Sequence, residues 1–323
     1  MIKHLQHQVE QAIASVNWVQ EPAGLYAPID YVLSLGGKRI RPVLTLLACK
    51  LFSDNEKQAL SAALAVEVFH NFTLLHDDVM DRADTRRGKP TVHKKWNDNT
   101  AILSGDAMLI KAYQLLQEAP ADKLPALLEL FSKTAIEVCE GQQYDVDFEN
   151  DPAVTLPQYI EMIRLKTAVL LAASLKMGAL IGGASQQDAN ALYDYGINLG
   201  LAFQLRDDYL DSFGDAAVFG KKIGGDICCN KKTFLMITAL QAASEEQRNE
   251  LLGWMRINDA SRFQEKIEAV LNIYKNLQID IRCEEAIRAY FEKSVGSLNK
   301  VQLPDSKKDI LVNLANSLMG RKS

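Results

Sequence analysis

Asn71-Phe72-Thr73-Leu74-Leu75-His76-Asp77-Asp78-Val79-Met80-Asp81 closes an apolar run that begins at Leu64. Phe203-Gln204-Leu205-Arg206-Asp207-Asp208-Tyr209-Leu210-Asp211 repeats the pattern after the apolar run from Leu199. On a helix, residues four apart share a face. Asp77 and Asp81 therefore project together with Asp78 beside them, and Asp207 and Asp211 do the same beside Asp208. Gln204 lies one turn before Asp208, on that side. Two carboxylates about 5 Å apart repel by roughly 3 kcal/mol at an effective dielectric near 20. Six of them at the mouth of an apolar bundle call for cations. Oxygen ligands without cysteine or histidine spacing suit Mg²⁺, or Mn²⁺. Mg²⁺ usually binds through one or two carboxylates plus substrate phosphates, so the two clusters point to a metal-held diphosphate between two helices.

The periodicity around these runs is helical nearly throughout, with no sustained strand-like alternation, and predicts an all-α fold. Helices are expected over residues 1–18, Ala59–Arg82, Asn99–Leu116, Leu124–Tyr144 and Asp188–Phe213. Another runs from Gln158 to the stop at Gly182-Gly183, and the remainder reads as helices over 231–244, 246–256, 258–277, 279–298 and 306–318. The chain of 323 residues, 48% of them hydrophobic, is long enough for one or two domains. No linker, short repeat or low-complexity tract divides it, and a single domain over 1–323 is expected.

The net charge of −5 argues against a nucleic-acid partner. Cys49, Cys139, Cys228, Cys229 and Cys283 form no CxxC pair, which suits reduced thiols in a cytoplasmic protein. Met1–His7 lacks the apolar core of a signal peptide. The most apolar stretch, Thr167–Gly183, contains Lys176 and reads as a buried helix, so no transmembrane segment is expected.

Basic motifs accompany the aspartates. Gly36-Gly37-Lys38-Arg39-Ile40-Arg41-Pro42 sets cations at a helix N-terminus, where outward backbone N–H groups also favour anions. It lacks the spacing of a P-loop. Glu67-Val68-Phe69-His70 lies two turns before the first aspartates, with His70 on the face of Asp77. Asp84-Thr85-Arg86-Arg87-Gly88 follows them, and its arginine pair is suited to clamping phosphate oxygens. Lys166, at the start of a buried stretch, needs an anionic or polar partner. Phe219-Gly220-Lys221-Lys222-Ile223-Gly224-Gly225-Asp226, then Asn230-Lys231-Lys232-Thr233, form a Gly- and Lys-rich loop suited to closing over a polyanion.

Taken together, these motifs resemble the trans-isoprenyl diphosphate synthases, or polyprenyl synthetases, from about residue 30 to 235. The resemblance rests on Gly36-Gly37-Lys38-Arg39-x-Arg41-Pro42, His70, the first aspartate motif with Arg86-Arg87-Gly88, and Gly141-Gln142. Lys166-Thr167, Phe203-Gln204-x-x-Asp207-Asp208-x-x-Asp211, Gly220-Lys221 and Lys231 complete it in the family's order. It implies an all-α bundle around a deep cavity, usually a homodimer. The implied reaction joins an allylic diphosphate (dimethylallyl, geranyl or farnesyl) head to tail to isopentenyl diphosphate. Asp77, Asp78, Asp81, Asp207, Asp208 and Asp211 are the implied ligands of two or three Mg²⁺ ions. Arg86, Lys166, Lys221 and Lys231 would contact the allylic diphosphate. Lys38, Arg41, His70 and Arg87 would bind isopentenyl diphosphate, and Thr167 and Gln204 would face the allylic cation.

Product length follows from the residues before the first aspartate. Five back lies about 7.5 Å along the helix axis. Phe72 stands there and Thr73 at four back; in this family an aromatic five back floors the cavity. The motif also lacks the insertion of typical bacterial farnesyl synthases and resembles the geranylgeranyl type, so C15 to C20 is expected, with C20 favoured. A long-chain quinone-tail synthase is opposed by Phe72. A non-catalytic prenyl-diphosphate-binding subunit is opposed by the intact Asp and Lys set, and a terpene cyclase by the second aspartate cluster. Cys228-Cys229 and the basic Arg321-Lys322 tail have no assigned role.

Overall fold

The computed structural model describes residues 1–214 and 223–320, except the side chain of Asn150. Its helices are α1 (Ile2–Ser15), α2 (Ala23–Ser34), α3 (Ile40–Phe52), α4 (Leu60–Met80), the single turn α5 (Val92–Lys95), α6 (Asp98–Leu116), α7 (Leu124–Asn150) and α8 (Leu156–Ile163). There follow α9 (Val169–Ile181), α10 (Gln186–Phe213), the single turn α11 (Gly225–Cys228), α12 (Phe234–Ala242), α13 (Glu245–Met255), α14 (Phe263–Asn276), α15 (Ile279–Leu298) and α16 (Asp305–Met319). The expected all-α class holds. The described residues form two compact units, 1–133 with 173–193, and 134–172 with 194–323.

In the first unit α4 is the central helix. It contains no Gly or Pro and is apolar on nearly every side, which a helix tolerates only when it is surrounded. Ala62–Phe69, Asn71, Phe72, Leu75 and Asp78 are all buried. The α9 backbone packs directly on α3. A Cβ on Gly178 would fall 2.0 Å from the Thr45 carbonyl oxygen, and one on Gly182 2.6 Å from that of Cys49. These glycines set the depth of the packing. The apolar length of α9 is thus explained inside the protein, and among the described residues no helix is long and apolar enough to cross a membrane.

The second unit has its own core, built from Phe148, Tyr159, Met162, Leu201, Leu205, Phe234–Ile237, Val270 and Tyr274. Here α10 packs on the helix before it through two glycines. Cβ atoms on Gly196 and Gly200 would fall 2.5 and 2.7 Å from the Cα atoms of Ala172 and Ala168. Lys266 is fully buried and donates to the carbonyls of Cys228 (3.3 Å) and Ile257 (3.0 Å) and to Asn230 Oδ1 (2.6 Å). It fastens the turn after α11 to α14.

Several elements depart from the sequence expectation. α7 runs to Asn150, past Tyr144. The Gln158 helix begins at Leu156, capped by Thr155 in a capping box with Gln158. Between α8 and α9 the chain makes a π turn over Arg164–Ala168. Residues 258–277 start as a 3₁₀ turn (Ala260–Arg262) before α14, and 231–244 narrows to α12. There is also a small β-ribbon, β1 (Thr85–Arg86) with β2 (Lys89–Pro90), paired antiparallel. Its loop residues Arg87 and Gly88 both have positive φ, 54° and 73°. That matches the left-handed requirement of a two-residue type I′ connection.

Candidate active site

The basic motif lines a cavity of about 470 Å³ in the first unit, together with Glu67, His70 and Arg87. Arg39 caps α3 in the left-handed conformation, φ 47°. That turn sends its side chain inward, where it is only 3% exposed. It pairs with Glu67 at 2.6 Å and Glu10 at 2.8 Å, and donates to the Leu33 carbonyl at 2.7 Å. Asn71 donates to Glu67 at 2.9 Å. Burial works against the Arg39 charge, but the two glutamates hold its pKa above the usual arginine value. Lys38 is left exposed and Arg41 half-buried. The motif therefore contributes two cations to the cavity and one to its wall.

Arg41 Nη1 lies 3.1 Å from His70 Nε2. Burial, then the Arg41 and Arg87 charges, push the His70 pKa well below its usual value. The imidazole is neutral near pH 7, and its Nε2 accepts from Arg41. Arg87 folds back over the glycine loop and donates to the Gly36 carbonyl. A Cβ on Gly37 would fall 2.9 Å from its guanidinium carbon. The β-ribbon separates the arginine pair, so the two do not form a joint clamp. Arg86 grips Asp78, with Nε 2.8 and 3.0 Å from the two carboxylate oxygens and Nη2 3.7 Å from Asp77.

In the first cluster Asp78 is buried, Asp77 half-buried and Asp81 exposed. Burial raises the pKa of Asp78 against the pull of Arg86. Asp81 caps the C-terminus of α4, and the second cluster lies in the last two turns of α10. The macrodipole disfavours anions there by about 0.3–1 kcal/mol each. Folding alone would not select six aspartates at two such ends.

In the second unit Asp208 is 4% exposed, accepts from the Tyr159 hydroxyl, and lies 3.3 Å from the Gln204 amide nitrogen. Burial and the neighbouring Asp226 carboxylate push its pKa up to about 8, against those hydrogen bonds. Asp211 accepts from the Asp226 N–H at 3.0 Å. Lys166 lies on the π turn and pairs with Asp145 at 2.6 Å, which supplies the anionic partner expected of it. A Cβ on Gly141 would fall 2.2 Å from the Lys166 nitrogen, so the glycine lets α7 approach the π turn. Thr167 Oγ1 reaches Gln204 Oε1 at 3.4 Å. Lys231 is exposed, 3.9 Å from Asp226. Lys221, with the centre of the basic loop, and the Arg321-Lys322 tail lie outside the described residues.

The sequence reading passed over the partners. Tyr159 and Asp145 carried no motif, and Asp226 stood in the Gly- and Lys-rich loop without a role of its own. Glu67 did carry a signal: an acid inside an apolar run requires a buried cation. Arg39→Met should therefore destabilise the protein by about 3–5 kcal/mol, because Glu67 is left buried and unpaired. Chemical denaturation should show the loss, and adding Glu67→Leu should recover most of it. Equal stability of wild type and Arg39→Met would refute the buried pair.

All five cysteines are free thiols. Among the described residues no three His, Cys, Asp or Glu side chains form a ready-made metal cage. The donors still fit Mg²⁺, which completes its shell with substrate phosphates and water rather than a protein cage. The Asp208 carboxyl, whose pKa burial and the Asp226 carboxylate raise, is a group that a cation would ionise.

Comparison with known proteins gives one answer. The family described as polyprenyl synthetase matches residues 22–274. Geranylgeranyl diphosphate synthase of Methanosarcina mazei is 44% identical over 242 residues, 74% of this chain and 75% of that protein. A crystal structure of a geranylgeranyl pyrophosphate synthase superposes with a TM-score of 0.94 at 47% identity, covering 100% of this chain and 99% of that one. A polyprenyl synthase of Caulobacter crescentus, solved with calcium and isoprenyl diphosphate, gives 0.84 at 29% identity, over 100% and 98% of the chains. The fold is that of the isoprenyl diphosphate synthases. The chain belongs to the polyprenyl synthetase family.

Proposed function

We propose that this enzyme is a trans-prenyltransferase that condenses an allylic diphosphate with isopentenyl diphosphate and releases a short prenyl diphosphate, chiefly C20. The observations that carry the reading are a cation-lined cavity in the first unit and an aspartate cluster at a helix C-terminus in each unit. The family match over residues 22–274 spans both units and supports one synthase domain.

Lys38, Arg41, His70 and Arg87 take isopentenyl diphosphate. Neutral His70 offers it an N–H without adding charge. Asp77 and Asp81, with Asp207, Asp208 and Asp211, hold two or three Mg²⁺ ions, for which Mn²⁺ can substitute. Asp78 joins them when Arg86 turns to the allylic diphosphate. Bound Mg²⁺ would neutralise the leaving diphosphate as a Lewis acid. Arg86, Lys166, Lys221 and Lys231 take the same oxygens, so the growing charge meets fixed cations. The allylic C–O bond breaks, the isopentenyl double bond attacks the freed carbon, and a proton passes from the new cation to the released diphosphate. Thr167 and Gln204 present oxygen dipoles to the allylic cation. Phe72 would floor the separate space that takes the growing chain, backed by Thr73, whose hydroxyl is turned to the His70 carbonyl at 2.8 Å. Exposed Ile102, Leu103 and Ile110 on α6 support a homodimer, and the free thiols suit the cytoplasm.

The test is incubation with labelled isopentenyl diphosphate, Mg²⁺ and dimethylallyl, geranyl or farnesyl diphosphate, followed by chromatography of the dephosphorylated products. Linear C20 alcohol is expected. Products of C30 or longer would remove the floor, and no turnover by folded protein would remove the enzyme.

A further inference from the structure

His76 stands immediately before the first aspartate and has no part in the chemistry above. Its ring meets Phe72, one turn earlier on α4, edge-on, with centroids 4.8 Å apart and planes at 68°. Its Nε2 donates to the Ile102 carbonyl of α6 at 3.1 Å. Beneath it lies Gly105, one turn along α6. A Cβ there would fall 2.1 Å from His76 Nε2 and 2.5 Å from Cδ2. Gly105 is thus the seat of the imidazole. Phe72 also rests against Phe69, with centroids 5.5 Å apart. The Phe72 ring is held by two neighbours, one of which is anchored across to a second helix.

We infer that His76, seated on Gly105, is the positioning residue that holds Phe72 in place and so sets product length. The inference rests on Phe72 being the floor of the space that takes the growing chain. A phenylalanine ring pivots about χ1 into whatever space its neighbours leave. Phe69, one turn before it, and His76, one turn after it, both pack against the ring. Without the imidazole, the ring swings toward α6 and that space deepens. Edge-to-face aromatic pairs contribute about 0.5–1.5 kcal/mol, enough to change rotamer populations about two- to tenfold. The expected result is therefore a redistribution of products.

The experiment is the product assay on Phe72→Ala, His76→Ala, His76→Gln, Gly105→Ala and the double variant His76→Ala with Phe72→Ala. His76→Ala should move a substantial share of product to chains at least one isoprene unit longer. Gly105→Ala should do the same by unseating the ring. His76→Gln, which can keep the bond to Ile102 but loses the ring contact with Phe72, should shift the pattern less than His76→Ala does. The double variant should match Phe72→Ala alone, since His76 acts through that ring. If Phe72→Ala lengthens the product while His76→Ala and Gly105→Ala leave it unchanged, the inference fails and the floor stands. If Phe72→Ala leaves product length unchanged, the floor itself fails. Should His76→Ala not fold, Gly105→Ala against wild type decides the same question.

Discussion

Phe72→Ala should convert a C20 pattern into one of C25 and longer products. Phe72 is 8% exposed on α4, about 7.5 Å along the axis from the first aspartate. In the proposed function, a hydrocarbon growing from a diphosphate held at the aspartates would meet this ring after a fixed number of units. Truncation removes the obstacle and leaves the aspartates and cations untouched, so early condensations should run at near wild-type rates. It also removes a buried aromatic, which costs about 3–5 kcal/mol in a closed core. The cost should be smaller if bound product fills the space. Chromatography of the products reads the first effect and thermal unfolding with and without product reads the second. Unchanged chain length would show that the floor lies elsewhere.

Asp208→Asn should lower turnover about 10²- to 10³-fold, the scale of losing one electrostatic contact to a developing charge. The same change should stabilise the metal-free protein at pH 8. In the folded state Asp208 titrates at about 8, against an ordinary 3.8. From about pH 4 upward the unfolded chain releases this proton while the folded chain keeps it. Stability therefore falls as pH rises through that window, and the penalty levels off near pH 8. Asparagine never ionises, so the variant should melt later than wild type at pH 8 with a chelator present, and the gap should narrow toward pH 5. A variant less stable than wild type at pH 8 would show that the buried carboxylate is already compensated.

The aspartate helices were legible because six acids at helix C-termini oppose every local preference. Helix class and most boundaries followed from periodicity, Gly and Pro. What was hidden depended on backbone states that no pattern signals. Arg39 reads as one more cation until its left-handed φ turns it inward. Arg86 and Arg87 read as a pair until the two-residue ribbon parts them. Strands this short carry no alternation to detect. Gly105, Gly141, Gly178, Gly196 and Gly200 sit inside helices where they weaken the local preference. At each, a second chain segment comes too close for a Cβ, which only the packed structure reveals.

The π turn at Arg164–Ala168 has a bearing on which sequence changes the chain can accept. A π turn spans one residue more than the α pattern. Deleting one residue there would give a regular helix and a better local hydrogen-bond ladder. It would also rotate everything on one side of the cut by about 100° relative to the other. Ala172, after the turn, meets Gly196; Ala168, its last residue, meets Gly200, and Lys166 also sits within it. Register on one side must be given up to regularise the other. Insertions and deletions are therefore more tightly forbidden at this turn than point substitutions are. An aligned gap there would be a better warning of altered chemistry than the loss of any single surface charge.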